Sequence, residues 1–448
     1  MAARQLVVLM AGRRLGTLIM DRYGRLQLDY DEAYLVEASS TPLSTSMPLS
    51  GRTWRGKVLV AFLQGLLPDN GDVRDRWAAR FGVATGSPFV LLSHVGEDCA
   101  GAAQFVRPER LGSLGPGGVR WLDDEALRDR LEQLRNDPAD WLGTDSKGQF
   151  SLAGAQAKFA LIKQDGRWGE PYGAVPTTQI IKPPAGQYAD RDLNEHLCLS
   201  AAASAGLVVA RSSLVTFGDE RAVAVERYDR VRTPEGWARV HQEDFCQALG
   251  VPPERKYQSE GGPGTRDIAR LLRRLLPGEE GDRALVDFVD AVAFNWLAGG
   301  TDAHAKNFSL LLSGSQVRLA PLYDLVSALP YATRPGEPRR SGQIRGNLNL
   351  AMKVGANREV SLVRREDWEA FAAEVGVSGD LVLGRVEALA ERVPDAFAVA
   401  ASTDSVTAAG SKLPERLVER VEANVSRCRS ALAGRPARRH PGRSPQRS

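Results

Sequence analysis

The strongest chemical signal in this sequence is residues 293–324, AFNWLAGGTDAHAKNFSLLLSGSQVRLAPLYD. An apolar helical pattern stops at Gly299-Gly300, and Asp302, His304, Lys306 and Asn307 then crowd into six residues. A hairpin pattern follows (FSLLL, SGSQ, VRLA), and a second aspartate, Asp324, comes directly after Tyr323. Phosphoryl transfer needs a carboxylate near the incoming hydroxyl. It also needs an amide oxygen and a second carboxylate to hold Mg²⁺ bridging the phosphates. Asp302 and Asn307 have the D-x4-N spacing of a kinase catalytic loop, and Asp324 falls one hairpin later, where a metal-binding aspartate belongs. Hard oxygen ligands suit Mg²⁺ and do not suit zinc. Any one of the three is an ordinary cap or loop residue; the three in order around a hairpin are the specific signal.

A kinase also needs a cation on the ATP phosphates and a helical carboxylate to orient it. Only nine of the 58 basic residues are lysines, so each marks a place where a compact ammonium has a use. Lys182 ends the strand-like TTQII, and Glu195 lies thirteen residues on, near the start of the next helical pattern. An ammonium there would meet the α/β-phosphates while Glu195 pairs with it. The loop Ser151-Leu-Ala-Gly-Ala-Gln156 carries small residues that let backbone N–H groups approach phosphate oxygens, and Lys158 follows it. It is neither a G-x-G-x-x-G nor a Walker motif, and alone it reads as a hairpin turn. AVERYDR, 224–230, reads by itself as a strand end with a solvated charge cluster.

These residues need elements to place them. Residues 5–30 pattern as a β-meander around Gly12 and Gly24, followed by helical patterns at 54–66, 70–82 and 123–136. Strands return from about 148, a helix covers 194–206, and two strands meet at a Gly218-Asp219 turn. Helices at 265–276, 281–298, 364–376, 378–393 and 413–432 make up most of the rest. A β-rich first half and a helical second half predict an α+β chain of two lobes with a junction near 226–240.

Composition narrows the class. The 448 residues are 43% hydrophobic and 25% charged, which excludes collagen, disorder and low complexity as the main character. The formal charge is +3, but residues 431–448 hold five arginines and no acid. The body is therefore slightly acidic, which argues against a globally basic nucleic-acid binder. The four scattered cysteines suggest neither a disulfide framework nor a zinc module. The N-terminal apolar run is too short for a signal peptide, and no apolar run of about 18 residues occurs. A cytoplasmic protein with no membrane attachment is expected.

The runs SLAGAQAKFAL, IIKPP, NEHLCLSAAASAGL, AVERYDR, FNWLAGGTDAHAKNFSLLL and APLYDLVSA together closely resemble HipA-type serine/threonine-protein kinases, the toxin halves of bacterial type II toxin–antitoxin pairs. The resemblance runs from about residue 60 to 355, and TDAHAKN with PLYD is its most specific part. It implies a kinase-like two-lobed fold, with Asp302 as catalytic aspartate, Asn307 and Asp324 as Mg²⁺ ligands and Lys182 as the ATP-phosphate lysine. Ala153, Gly154, Ala155, Gln156, Ala157 and Lys158 resemble the phosphate-binding loop. Glu226, Arg227 and Tyr228 resemble the adenine-contacting hinge, while His304, Lys306 and Tyr323 fall in the nucleotide-contacting stretch. Ser151 matches the loop serine that such kinases autophosphorylate, which expels the loop and silences the enzyme. The family further implies a small helix-turn-helix (HipB-like) antitoxin as partner, operator DNA bound through that complex, and an aminoacyl-tRNA synthetase as the substrate whose modification arrests growth and gives drug tolerance. Ala157, Ala303 and Tyr228 depart from the usual family residues, and none removes a catalytic atom.

The expected organisation is residues 1–110 as an N-terminal scaffold or partner-docking subdomain and 111–232 as the ATP-binding lobe. Residues 233–433 form the helical lobe, and 434–448 a disordered basic tail. Two other readings stay open on the sequence. One is a corepressor with a degenerate nucleotide pocket, touching DNA through 334–345 and the tail; the other is a small-molecule kinase.

Overall fold

The computed structural model describes residues 4–83, 87–142, 150–184, 188–333, 343–344 and 346–434. Almost all of the basic segment 334–345, and the arginine-rich tail from 435 on, lie outside the described residues.

The predicted meander is present as Arg4–Met10, Arg13–Met20 and Leu26–Tyr30. It extends into a five-stranded antiparallel sheet ordered Thr53–Arg55, Leu26–Tyr30, Arg13–Met20, Arg4–Met10, Ala103–Val106. Period-2 alternation puts Leu6, Val8 and Met10 on the face packed against Leu59, Phe62, Trp77 and Phe89 of three helices, Lys57–Gly65, Gly71–Phe81 and Pro88–Val95. The expected helix at 54–66 starts later than the pattern suggested. Residues 53–55 complete the sheet edge, and Gly56, at φ +74°, turns the chain into the helix.

The second sheet has six antiparallel strands, ordered Ser212–Phe217, Glu220–Glu226, Gln179–Lys182, Phe159–Gln164, Arg167–Tyr172, Gly118–Leu122. Lys182 faces Val223 across one ladder, and Ile181 faces Phe159 across the other. Ile180 and Lys182 therefore share one face while Ile181 joins the core on the opposite face. The helix Arg191–Ser204 crosses from this sheet into a second, larger core with Glu279–Ala298, Gly379–Ala401 and Leu413–Leu432. The helix predicted over 378–393 runs on through Pro394 to Ala401, because Ala396, Phe397 and Ala400 continue its buried stripe. The hairpin that follows the Asp302–Asn307 loop, Ser309–Ser313 with Gln316–Leu319, pairs with His241–Asp244 in a three-stranded sheet. The architecture is α+β, with the β-rich first half and helical second half anticipated from the sequence. Among the described residues no helix is long and apolar enough to cross a membrane.

Candidate active site

Lys182 ends its strand on the face shared by the two lobes, and Glu195 lies one turn into the helix Arg191–Ser204. The Lys182 Nζ donates to Glu195 Oε1 at 2.6 Å and to Asp324 Oδ1 at 3.0 Å. Glu195 is fully buried, yet its Oε2 has no hydrogen-bond partner. Burial pulls on the ammonium, but Asp324 and Glu195 outweigh it and raise the Lys182 pKa. Burial would likewise raise Asp324; Lys182, Lys158 and Arg191 override it and hold the carboxyl well below the usual range. Asp324 is thus a carboxylate and Lys182 an ammonium at neutral pH. Asp324 adopts φ +56°, one of four non-glycine residues described with positive φ, at a cost of about 1 kcal/mol. The flanking chain imposes it. Ala210 N–H donates to Leu322 O, and the Asn194 side chain exchanges two 2.9 Å hydrogen bonds with the backbone of Ser327.

The facing loop begins where Glu279–Ala298 ends in a left-handed Gly299. A Cβ at Gly300 would lie 2.1 Å from Asn295 Oδ1, so this turn needs glycine. Asn307 Nδ2 donates to the Asp302 carbonyl at 2.7 Å, and His304 N–H to the same oxygen at 2.8 Å. Tyr257, 45 residues upstream, donates its O–H to Asp302 Oδ1. His304 packs edge-on to Tyr257 at 4.8 Å; its Nδ1 is buried without a partner, and burial lowers its pKa. Tyr323 O–H donates to the Lys306 carbonyl at 2.6 Å. The Lys306 ammonium lies 2.8 Å from Asp244 Oδ2. Asp244 and Asp69 raise its pKa against the burial that would lower it.

These residues meet in one cleft. Asp302, Asn307, Asp324, Lys182, Glu195, His304, Lys306 and Tyr323 line it, as do Ala153 to Gln156, Lys158, and Glu226 to Tyr228. Two nominated residues do not. Ala157 turns into the N-terminal core. Ser151 is fully buried, donating its hydroxyl to Leu66 O at 2.7 Å. Lys158 Nζ clamps the 153–158 loop by donating to Ala153 O at 2.8 Å, and burial with Lys182 nearby lowers its pKa to about 8. Gly154, at φ +97°, comes so close that a Cβ would sit 2.7 Å from that ammonium.

The charges of 224–230 differ from expectation. Glu226 N–H donates to Arg211 O and Arg227 N–H to Thr178 O, so these two backbone donors are already engaged. The supposedly solvated charges of 224–230 are mostly buried. Arg227 is 2.8 Å from Asp229, Arg230 is 2.9 Å from Asp98, and Arg239 is 3.1 Å from Asp98. Local sequence could not show this, because Asp98, which shares these arginines with Asp229, comes from the N-terminal domain.

Sequence reasoning also missed Asp69, Asp244, Lys256, Tyr257 and Asn194. Lysine scarcity was a usable signal for Lys256: four of the nine lysines, Lys158, Lys182, Lys256 and Lys306, line this cleft. The residues fit a nucleotide and Mg²⁺. Asn307 and the ionised Asp324 offer hard oxygen, and Glu195 Oε2, His304 Nδ1 and both amide atoms of Gln156 are buried without partners around the same space.

A sheet carrying a lysine paired to a helical glutamate, closed over a helical lobe with an Asp–Asn loop and a second Asp, is the architecture of a kinase-like protein. The sequence then says which kind. Residues 6–106 match the HipA N-terminal domain and residues 150–397 the HipA-like C-terminal domain, and the chain belongs to the HipA family. It is 36% identical over 403 residues to the putative kinase Y4mE of Sinorhizobium fredii, covering 89% of this chain and 92% of that one. It is 31% identical over 375 residues to the serine/threonine-protein kinase toxin HipA of Shewanella oneidensis, covering 81% of each. It also superposes on a chain from the solved Shewanella oneidensis complex of HipA, HipB and operator DNA. There the TM-score is 0.80 at 26% identity, covering 96% of this chain and 98% of that one.

Proposed function

We propose that this chain is an ATP-dependent serine/threonine protein kinase, the toxin of a type II toxin–antitoxin module, with an aminoacyl-tRNA synthetase as its acceptor. The observation that carries it is the Lys182 ammonium lodged between Glu195 and Asp324, opposite the Asp302–Asn307 loop. Lys182 holds the phosphates of ATP, and Glu195 keeps the ammonium aimed. Asp302 orients the acceptor hydroxyl and takes its proton as the new O–P bond forms and the γ-phosphoryl group leaves ADP. Tyr257, by donating to Asp302 Oδ1, fixes that carboxylate. Asn307 and Asp324 are the residues that would hold Mg²⁺, which supplies neutralisation of the charge on the phosphates. The phosphate loop 153–158 and Tyr228 complete the nucleotide site.

Burial of Ser151 supports self-silencing. A phosphate there would face the Leu66 carbonyl in a closed pocket, and a dianion in that setting drives the loop out. A small helix-turn-helix antitoxin and, through it, operator DNA are the proposed partners, supported by the HipA–HipB–DNA assembly to which the chain is similar.

The test is transfer from γ-labelled ATP with Mg²⁺ to purified aminoacyl-tRNA synthetases. Label on a serine or threonine of one synthetase, absent with Asp302→Asn, is expected. Transfer that survives this substitution would sink the assignment.

A further inference from the structure

The N-terminal domain carries none of the nominated site residues, yet its segment 65–69 reaches both halves of the cleft. On one side it holds the phosphate loop through backbone. Asp69 N–H donates to Gly154 O at 2.9 Å, Pro68 bridges Gly154, and Leu66 O accepts the Ser151 hydroxyl. On the other side it meets the catalytic loop through charge. Asp69 Oδ2 accepts from Lys256 Nζ at 2.8 Å, and Asp69 Oδ1 lies 3.9 Å from Lys306 Nζ.

Both lysines bear on the catalytic loop, Lys306 from within it and Lys256 from the segment that contacts it. Lys306 stands between His304 and Asn307, is held by Asp244, and approaches Gly65 O at 3.4 Å. Lys256 precedes Tyr257, the donor to Asp302, and its carbonyl accepts the Ala305 N–H at 3.3 Å. Asp69 is largely buried, and its Oδ1 has no hydrogen-bond partner. Burial would raise its pKa, but Lys306 and Lys256 overcome this and keep it ionised.

We infer that Asp69 is a positioning residue through which the N-terminal domain sets the register between the phosphate loop and the catalytic loop. It acts through the two lysines and through its backbone bond to Gly154. It fixes where Lys256 and Lys306 hold the Tyr257–Asp302 pair and the 304–307 turn, while its own backbone fixes Gly154. The N-terminal domain is then part of the catalytic machine. A displacement of segment 65–69 would disturb both loops at once, whereas loss of the Asp69 charge alone would disturb transfer and leave the backbone hold on Gly154 in place. This inference rests on the kinase reading of the cleft.

Asp69→Asn tests it in the full-length chain, since asparagine keeps the backbone bond to Gly154 and loses only the charge. Turnover with ATP and a protein acceptor should fall about 10–100-fold while the KM for ATP stays within about threefold. Asp69→Glu should restore part of the rate. Hydrogen exchange in 302–307 of nucleotide-bound Asp69→Asn should quicken, while 153–158 stays protected. Lys256→Gln, which breaks the same contact from the less buried side, should reproduce the turnover loss and remain available if Asp69→Asn does not fold. Wild-type turnover in either variant, or a loss confined to ATP affinity, would overturn the inference. Absence of transfer in the wild type would instead overturn the kinase reading itself.

Discussion

Two ionic clusters lie near the hinge, and they are built to opposite specifications. In the first, Asp98, Arg227, Asp229, Arg230 and Arg239 lock the N-terminal domain to the hinge. Both oxygens of Asp98 and both of Asp229 are engaged, by guanidinium groups, the Thr177 hydroxyl and N–H, and the Gly101 N–H. In the second, Lys182 and Glu195 are as deeply placed while Asp324 is partly open to the cleft, and Glu195 Oε2 is left without a partner, as are His304 Nδ1 and the Gln156 amide lining the same cleft. The lock uses arginine, whose planar fork saturates carboxylates; the cleft uses lysine, a compact charge that can turn to a phosphate. The carboxylates differ most: those of the first cluster have every oxygen hydrogen-bonded, with only Arg239 Nη2 held by an ion pair alone, whereas Glu195 in the second keeps one oxygen unpartnered.

The sharpest way to break this contrast is to remove one member of the lock. Asp98→Ala leaves three guanidinium groups short of their shared acid and should cost about 3–5 kcal/mol of unfolding free energy. Chemical denaturation measures it, and a loss below about 1 kcal/mol would mean the lock does not join the domains. Lys182→Met should do the reverse. Turnover falls about 10²-fold or more. Stability should fall by less than half as much as in Asp98→Ala, because Asp324 opens on the cleft and can be rehydrated. A stability loss equal to that of the lock variant would erase the distinction.

A smaller effect separates the titratable cleft from the fixed-charge lock. Burial and then Lys182 bring Lys158 down to about 8 from its ordinary 10.5. Below pH 8 the folded protein carries the full cost of that buried ammonium. Between about 8 and 10.5 the unfolded chain holds the proton and the folded chain does not, so stability rises with pH through this window. The gain is at most about 3 kcal/mol, and it should appear as a difference between wild type and Lys158→Met in denaturation curves at successive pH values. Parallel curves for the two proteins would show that Lys158 is not perturbed.

The sequence was most readable where function is local. Asp302, Asn307 and Asp324 come from one loop and hairpin, so spacing alone brought them together, and Lys182 with Glu195 needed only a strand end and the first turn of a helix. What sequence hid is what tertiary structure supplies. Asp69 comes from a domain with no catalytic motif, and Asp244 pairs with Lys306 across a sheet that forms only when distant strands meet. The AVERYDR charges looked solvated because Asp98, more than a hundred residues earlier, is what permits their burial. Pro394 shows the same limit in the fold, since a helix stop read locally is overridden by the packing of Ala396, Phe397 and Ala400.

The central claim is that the unsaturated cluster is a working phosphotransfer site. Intact mass of the purified protein after incubation with ATP and Mg²⁺, wild type beside Asp302→Asn, tests it most directly. The account predicts a gain of about one phosphate in the wild type alone, mapped to Ser151 once the loop has left its buried position. Equal masses in the two proteins, with ATP bound to both, would contradict it.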